Sequence, residues 1–347
     1  MVHEQYMQRC IQLAKLGAGN TAPNPMVGAV LVHDGEIIGE GYHQQYGQAH
    51  AEVNCINSVA ANYTSKIPNS TLYVSLEPCS HFGKTPPCSD LIIQQQIKKV
   101  VIGCSDSFKE VNGRGIEKLK AAGIEVINGV FEQECRQLNK RFFTFHEKQR
   151  PFVVLKWAET LDKKMGSNNN TRMLISNSYS NRLVHKWRSE EAAILIGTHT
   201  ALLDNPSLNN RLWYGNNPVR LVIDKLLQLP STLTIFNGQQ QTIVFNFLKH
   251  ETEGNTMFYQ LNEQEDFLQQ LLHACYQLNL QSILVEGGAK LLQSFIDKKL
   301  WDKARVITNE TLIANNGLNV PIFAGKLTGQ QQISTDNIKY YQPLNDK

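Results

Sequence analysis

The sequence predicts an α/β protein built as two successive domains, and three observations carry that prediction. The chain has 347 residues, more than one ordinary hydrophobic core supports. Apolar strand-like runs alternate with helical stretches, the spacing of a parallel or mixed sheet covered on both sides. The alternation restarts after Arg150-Pro151, which places the domains at 1–147 and 151–347.

The elements follow in order. A helix is expected over about 3–17, where apolar residues recur at helical spacing. VGAVLVHDGEIIGEGYH reads as a hairpin turning at Asp34-Gly35, a dipeptide suited to two successive positive φ angles. A helix over Ala49–Ala61 precedes the buried strand TLYVSLEP, then a helix over 88–96 and the strand KKVVIGCSD. A helix near 115–122, the short strand IEVINGV and a helix over 131–144 complete the first domain. In the second, PFVVLKWA, AAILIG, VRLVID, TIVFN, SILVEGG and KARVIT are strand candidates with helices between several of them. The polar stretches 166–172 and 209–218 read as loops. The halves share no repeat.

Composition narrows the function. Lys and Arg exceed Asp and Glu by 34 to 31, and no basic block stands out, which argues against nucleic acid and leaves room for a phosphorylated small substrate. No apolar run is long enough to cross a bilayer, and the N-terminus lacks the cleavage site of a signal peptide. Seven scattered cysteines suit a reducing cytoplasm in which some of them bind metal or react.

The densest chemistry lies in LEPCSHFGKTPPC at 76–88 and in His50-Ala-Glu52 upstream. His50, Cys79 and Cys88 offer one imidazole and two thiolates, three ligands that leave a fourth position open on a catalytic zinc. Glu52 is placed to carry protons, following the histidine–x–glutamate and proline–cysteine pattern of zinc deaminases. Eight residues separate the cysteines here, where the general pattern has two. A structural zinc site closed by His81 or Cys104 is the alternative, and iron or cobalt would accept the same ligands. Cys10, Cys55, Cys104, Cys135 and Cys275 read as core residues. His3, His33 and His43 show no partner pattern.

APNPMVGAVLV, GEGYHQQYGQAHAE and the long cysteine loop, in this order, closely resemble the deaminase domain of bifunctional riboflavin-biosynthesis proteins. The resemblance implies a cytidine-deaminase-like zinc domain, with Asn24, His81, Lys84 and Asp106 contacting substrate and Lys84 suited to its phosphate. Phe108 stands where the family has a substrate-contacting asparagine.

In the second half, LVEGGAKLLQSF reads as strand, Gly-Gly and helix, an arrangement whose backbone N–H groups can hold phosphate or can simply make a tight turn. With KWAETLDKKMG and the stretch 182–211 it resembles the reductase domain of the same family, which is dihydrofolate-reductase-like and uses NADPH. That resemblance assigns Lys156, Arg188, Leu208, Arg211 and Glu286 to the substrate, the two arginines to its phosphate. It assigns Ala158, Thr200, Asp204, Gly287 and Gly288 to NADPH. Lys163 replaces a family glycine and Leu174 a family tryptophan.

The family implies two consecutive steps of riboflavin biosynthesis in one chain. The first is zinc-dependent hydrolytic deamination of a phosphoribosylamino-pyrimidinone, and the second is NADPH-dependent reduction of its ribosyl chain to ribityl. It also implies a cytoplasmic homo-oligomer acting on phosphorylated pyrimidines, with neither nucleic acid nor membrane as partner. Two rivals remain at this point: a nucleic-acid or free-nucleoside deaminase, and a deaminase whose C-terminal domain no longer reduces.

Overall fold

A computed structural model of the chain describes residues 2–107, 112–167 and 173–344. The chain divides into two compact units, Met1–Gln149 and Arg150–Lys347.

In the first unit the chain runs α1 (Val2–Ala14), β1 (Gly28–His33), β2 (Glu36–Tyr42), α2 (Ala51–Asn57), β3 (Thr71–Leu76), α3 (Cys88–Gln94), β4 (Lys99–Cys104), α4 (Arg114–Ala121), β5 (Glu125–Asn128), α5 (Glu132–Leu138) and α6 (Lys140–Lys148). The sheet order is β2-β1-β3-β4-β5, with β3, β4 and β5 parallel and β1 antiparallel to both neighbours. Asp34 and Gly35 take φ of 48° and 83°, as the Asp-Gly turn demands. One apolar cluster covers each sheet face, with Met7, Val30 and Val101 in one and Leu31, Leu72 and Ile102 in the other. Alternate residues of a strand point to opposite faces, so the near-continuous apolar runs of β1, β3 and β4 feed both clusters.

Two helices differ from expectation. The helix expected over Ala49–Ala61 stops at Asn57, and a 3-10 segment follows at Ala61–Asn69. The helix expected over 131–144 is two helices broken at Asn139. There the Asn139 side chain accepts the Met26 N–H at 2.8 Å and donates to the Met26 carbonyl at 2.8 Å. A buried backbone segment needs its polar groups paired, and this amide pairs both at once.

The second unit runs β6 (Phe152–Glu159), β7 (Lys164–Gly166), α7 (Ser178–Glu190), β8 (Ala193–Gly197), α8 (Thr198–Asp204), β9 (Val219–Ile223), β10 (Thr242–Asn246), β11 (Glu251–Glu253), β12 (Thr256–Gln260), α9 (Phe267–Gln277), β13 (Ser282–Val285), α10 (Ala289–Asp297), β14 (Lys303–Asn309), β15 (Leu318–Asn319), β16 (Lys326–Ile333) and β17 (Asp336–Gln342). Its main sheet is ordered β11-β12-β10-β9-β8-β13-β6-β14-β17-β16. Seven strands from β12 to β14 are mutually parallel, and antiparallel strands close both margins. All six strands expected from apolar runs are present, and the polar β16–β17 hairpin is an addition to them. The 209–218 stretch has no helix or strand, while 168–172 of the other expected loop lie outside the described residues.

Candidate functional site

The first unit gathers its metal-ligating residues from three places. His50 is the N-cap of α2, Cys79 follows β3, and Cys88 opens α3. Their ligand atoms lie within 4.8 Å of one another, the one such group of His, Cys, Asp or Glu among the described residues. His50 Nδ1 is 3.6 Å from Cys79 Sγ and 3.3 Å from Cys88 Sγ. Bond lengths of about 2.0 and 2.3 Å around a tetrahedral zinc put nitrogen and sulfur roughly 3.5 Å apart, so the trio fits the ion. Neither His81 nor Cys104 joins it; the Cys104 thiol donates to the Ser75 carbonyl at 3.5 Å inside the core.

Electrostatics separate the roles of these groups. The Cys88 N–H donates to Cys79 Sγ at 3.3 Å. A hydrogen bond from the Cys88 thiol, opposed by burial and joined by His50, lowers the Cys79 thiol to about 4. Cys88 is pushed up by that same contact and by burial. Glu52, in the first turn of α2, is only 3% exposed. Burial raises its carboxyl to about 6, with His50 opposing, close to the range where a carboxyl both takes and gives protons near neutrality.

Among the residues expected to contact substrate in this unit, Asn24 is linked to the trio through His43. Asn24 Nδ2 meets His43 Nε2 at 3.3 Å, and His43 stands edge-on to His50 with ring centroids 5.3 Å apart. Sequence reading left His43 without a role; its partners are 19 residues before it and a ring beside it, so no local motif marked it. Lys84 Nζ lies 4.1 Å from the centre of the Tyr46 ring, and His81 shares the same clamp loop. Asp106 is buried and gives its N–H to Glu77 Oε2 at 3.1 Å. Glu77 also accepts N–H groups from Gly113, Gly115 and Ile116, so one buried carboxylate holds Asp106 and the start of α4 together. Phe108 lies outside the described residues.

In the second unit a cavity of about 460 Å³ gathers most of the remaining candidates. Lys156 and Ala158 from β6, Arg188 from α7, and Thr200 and Asp204 from α8 line it. Leu208, Arg211, Glu286 and Gly288 complete the set, and Gly287 adjoins it in sequence. Arg188 grips Glu286 with Nε at 3.0 Å and Nη2 at 2.7 Å. Burial disfavours the Glu286 charge, but Arg188 and Lys156 outweigh it and lower the carboxyl to about 2. Burial lowers Lys156 below the usual ammonium range, with Glu286 resisting.

The glycine end of the cavity suits an anionic group such as a phosphate. Gly287 takes φ of 118°, a region that favours glycine, and a Cβ on Gly288 would lie 3.2 Å from Thr200 Oγ1. Glycines there keep the start of α10 open to close approach, with N–H groups available to an anion. The departures at Lys163 and Leu174 are of different kinds. Leu174 lines the cavity and is 76% exposed. Lys163 is absent from the lining.

Comparison with known proteins agrees with both halves. Residues 1–104 match the cytidine and deoxycytidylate deaminase zinc-binding region, and residues 151–324 match the RibD C-terminal domain. The riboflavin biosynthesis protein RibD of Aquifex aeolicus is 38% identical over 92% of this chain and 90% of its own. That of Escherichia coli is 31% identical over 99% and 98%. The crystal structure of a diaminohydroxyphosphoribosylaminopyrimidine deaminase/5-amino-6-(5-phosphoribosylamino)uracil reductase from Thermotoga maritima superimposes with a TM-score of 0.87 at 36% identity, covering 99% of each chain. With both domains in the expected order and relatives at this identity across nearly its whole length, the chain belongs to the RibD family of riboflavin biosynthesis proteins.

Proposed function

We infer that the chain catalyses two consecutive steps of riboflavin biosynthesis, deaminating 2,5-diamino-6-(5-phosphoribosylamino)pyrimidin-4(3H)-one and then reducing the ribosyl chain of the product with NADPH. The convergence of His50, Cys79 and Cys88 beside a buried Glu52 carries the first step. Zinc held by that trio supplies the Lewis acidity that turns water into a nucleophile near neutral pH. Glu52 takes up the proton released from the attacking water on its carboxylate and delivers it to the departing amine. Asn24, His81, Lys84 and Asp106 orient the ribotide, Lys84 leaving its aromatic neighbour for the phosphate.

In the second step NADPH supplies the hydride. Ala158, Thr200, Asp204 and the Gly287-Gly288 turn hold the cofactor, while Arg188 and Arg211 receive the substrate phosphate and Leu208 and Glu286 border the pyrimidine side. Lys156, its proton already loosened by burial, donates from Nζ as the ribosyl ring opens. No described helix is long and apolar enough to cross a membrane, and all seven cysteines are free, which supports a reducing cytoplasm. Light scattering tests the homo-oligomer that the family implies. Mass spectrometry of the product tests both chemical steps: the zinc-loaded protein should exchange an amine for oxygen without NADPH and add two hydrogens with it. Deamination without reduction would leave the second unit without the proposed activity.

A further inference from the structure

Two side chains one turn apart on α7 grip the main chain of the segment that ends in Arg211. Arg188 Nη1 donates to the carbonyl of Asn209 at 3.1 Å, and His185 Nδ1 accepts the N–H of Arg211 at 3.1 Å. Residues at i and i+3 share a helix face, so α7 presents a donor and an acceptor matched to this backbone. Between them the Asn210 N–H is taken by Asn217 Oδ1 at 2.7 Å. The main chain from 209 to 211 is thereby fixed in a loop with no helix or strand, while the Arg211 side chain stays exposed at the cavity.

An imidazole accepts a hydrogen bond at Nδ1 only when that nitrogen carries no proton. His185 is 1% exposed. Burial, followed by the Arg188 and Arg211 guanidiniums, lowers it to about 4 against the pull of Glu286 and the Asn209 backbone, so the ring is neutral at physiological pH. The second nitrogen, Nε2, is buried without a hydrogen-bond partner, so the ring's polar contacts are with the backbone of Arg211 and Asn209.

We propose that His185 is a positioning residue of the reductase site, its Nδ1 setting the Arg211 main chain so that Arg211 and Arg188 together receive the 5′-phosphate of the substrate. This rests on the reductase reading above and adds to it a residue that lines the same cavity and acts through Arg211. The test uses the full zinc-loaded chain, NADPH and 5-amino-6-(5-phosphoribosylamino)uracil, with the dephosphorylated ribosylaminouracil as a second substrate. Asn places an oxygen where Nδ1 sits, whereas Gln places its polar atoms near Nε2. His185→Leu should raise KM for the phosphorylated substrate about tenfold with kcat within about twofold, the size expected for one lost positioning contact. His185→Asn should restore the wild-type KM and His185→Gln should not. Deamination should be unchanged in all three, and the KM gap between the Leu and Asn variants should shrink with the dephosphorylated substrate.

Wild-type KM in His185→Leu overturns the inference, as does rescue by Gln in place of Asn, which would assign the function to Nε2. Should the leucine variant fail to fold, the Asn and Gln variants decide the matter by themselves. A wild-type chain that deaminates without reducing overturns the reductase reading, and this inference with it.

Discussion

Lys163 holds a left-handed backbone at φ 62° and places Nζ 2.5 Å from Oε1 of Glu159, a carboxylate only 4% exposed. Glu159 also accepts from Trp157 Nε1 at 3.0 Å and from Thr308 Oγ1 at 2.7 Å. The lysine therefore occupies a backbone conformation that favours glycine, and a buried anion supports it there. Lys163→Gly relieves backbone strain of roughly 1 kcal/mol while losing the ion pair, so its stability should stay within about 1 kcal/mol of wild type. Lys163→Met loses the pair with no relief, and denaturant melts should show it less stable than Lys163→Gly by about 1 kcal/mol. Both variants should reduce substrate at the wild-type rate.

Leu174 lines the second unit's cavity at the position where the sequence resemblance expects tryptophan. Leu174→Trp should lower KM for NADPH by about three- to tenfold, the worth of one added aromatic stacking contact. Deamination by the same preparation should be unchanged, and a rise in the NADPH KM would show that the ring blocks the cavity.

Glu52→Gln keeps the size of the side chain and removes its ability to carry a proton. Deamination should fall by roughly 10²- to 10⁴-fold with zinc content intact and reduction preserved. Zinc lost together with activity would point to Glu52 as a ligand instead.

Glu286 has a folded-state pKa near 2, below its ordinary value of 4.5, so it favours the folded state above about 4.5 and loses that contribution as pH falls toward 2. Melting temperature measured from pH 6 to pH 2 should fall less steeply for Glu286→Gln than for wild type across that window. At neutral pH the variant should be the less stable of the two, since Arg188 then keeps a largely buried charge without its carboxylate.

Glu77 serves four N–H groups with one carboxylate. Glu77→Ala should destabilise the first unit by about 3 kcal/mol or more and raise the deaminase KM, because buried donors without partners are costly. Reduction should continue unaffected, as monitored by NADPH oxidation.

What could be read from the sequence was whatever is written locally. The cysteine clamp and His50-Ala-Glu52 are short motifs, and β1, β3, β4, β6, β8 and β13 are apolar runs whose burial on both faces leaves a plain signal. The roles of Glu77 and His185 were not legible, because each acts on backbone N–H groups far along the chain, and any residue type can supply those. β16 was missed because its outward Gln330, Gln331 and Gln332 carry no apolar alternation; its pairing with β17 defines it. The break at Asn139 was hidden because apolar residues continue through α6, so nothing in the pattern marks a stop.

Asn139 carries a consequence for the order in which the deaminase half becomes competent during synthesis. The zinc-binding pattern shared with other deaminases ends at residue 104, by which point all three ligands and Glu52 have been made. The clasp on Met26, two residues from Asn24, arrives only with Asn139. A ribosome-bound chain halted between these points would already own the His50, Cys79 and Cys88 trio while the segment at Met26 was still unfastened. The stretch after the last shared motif therefore belongs to the catalytic unit, and a boundary drawn by motif alone would cut the enzyme short.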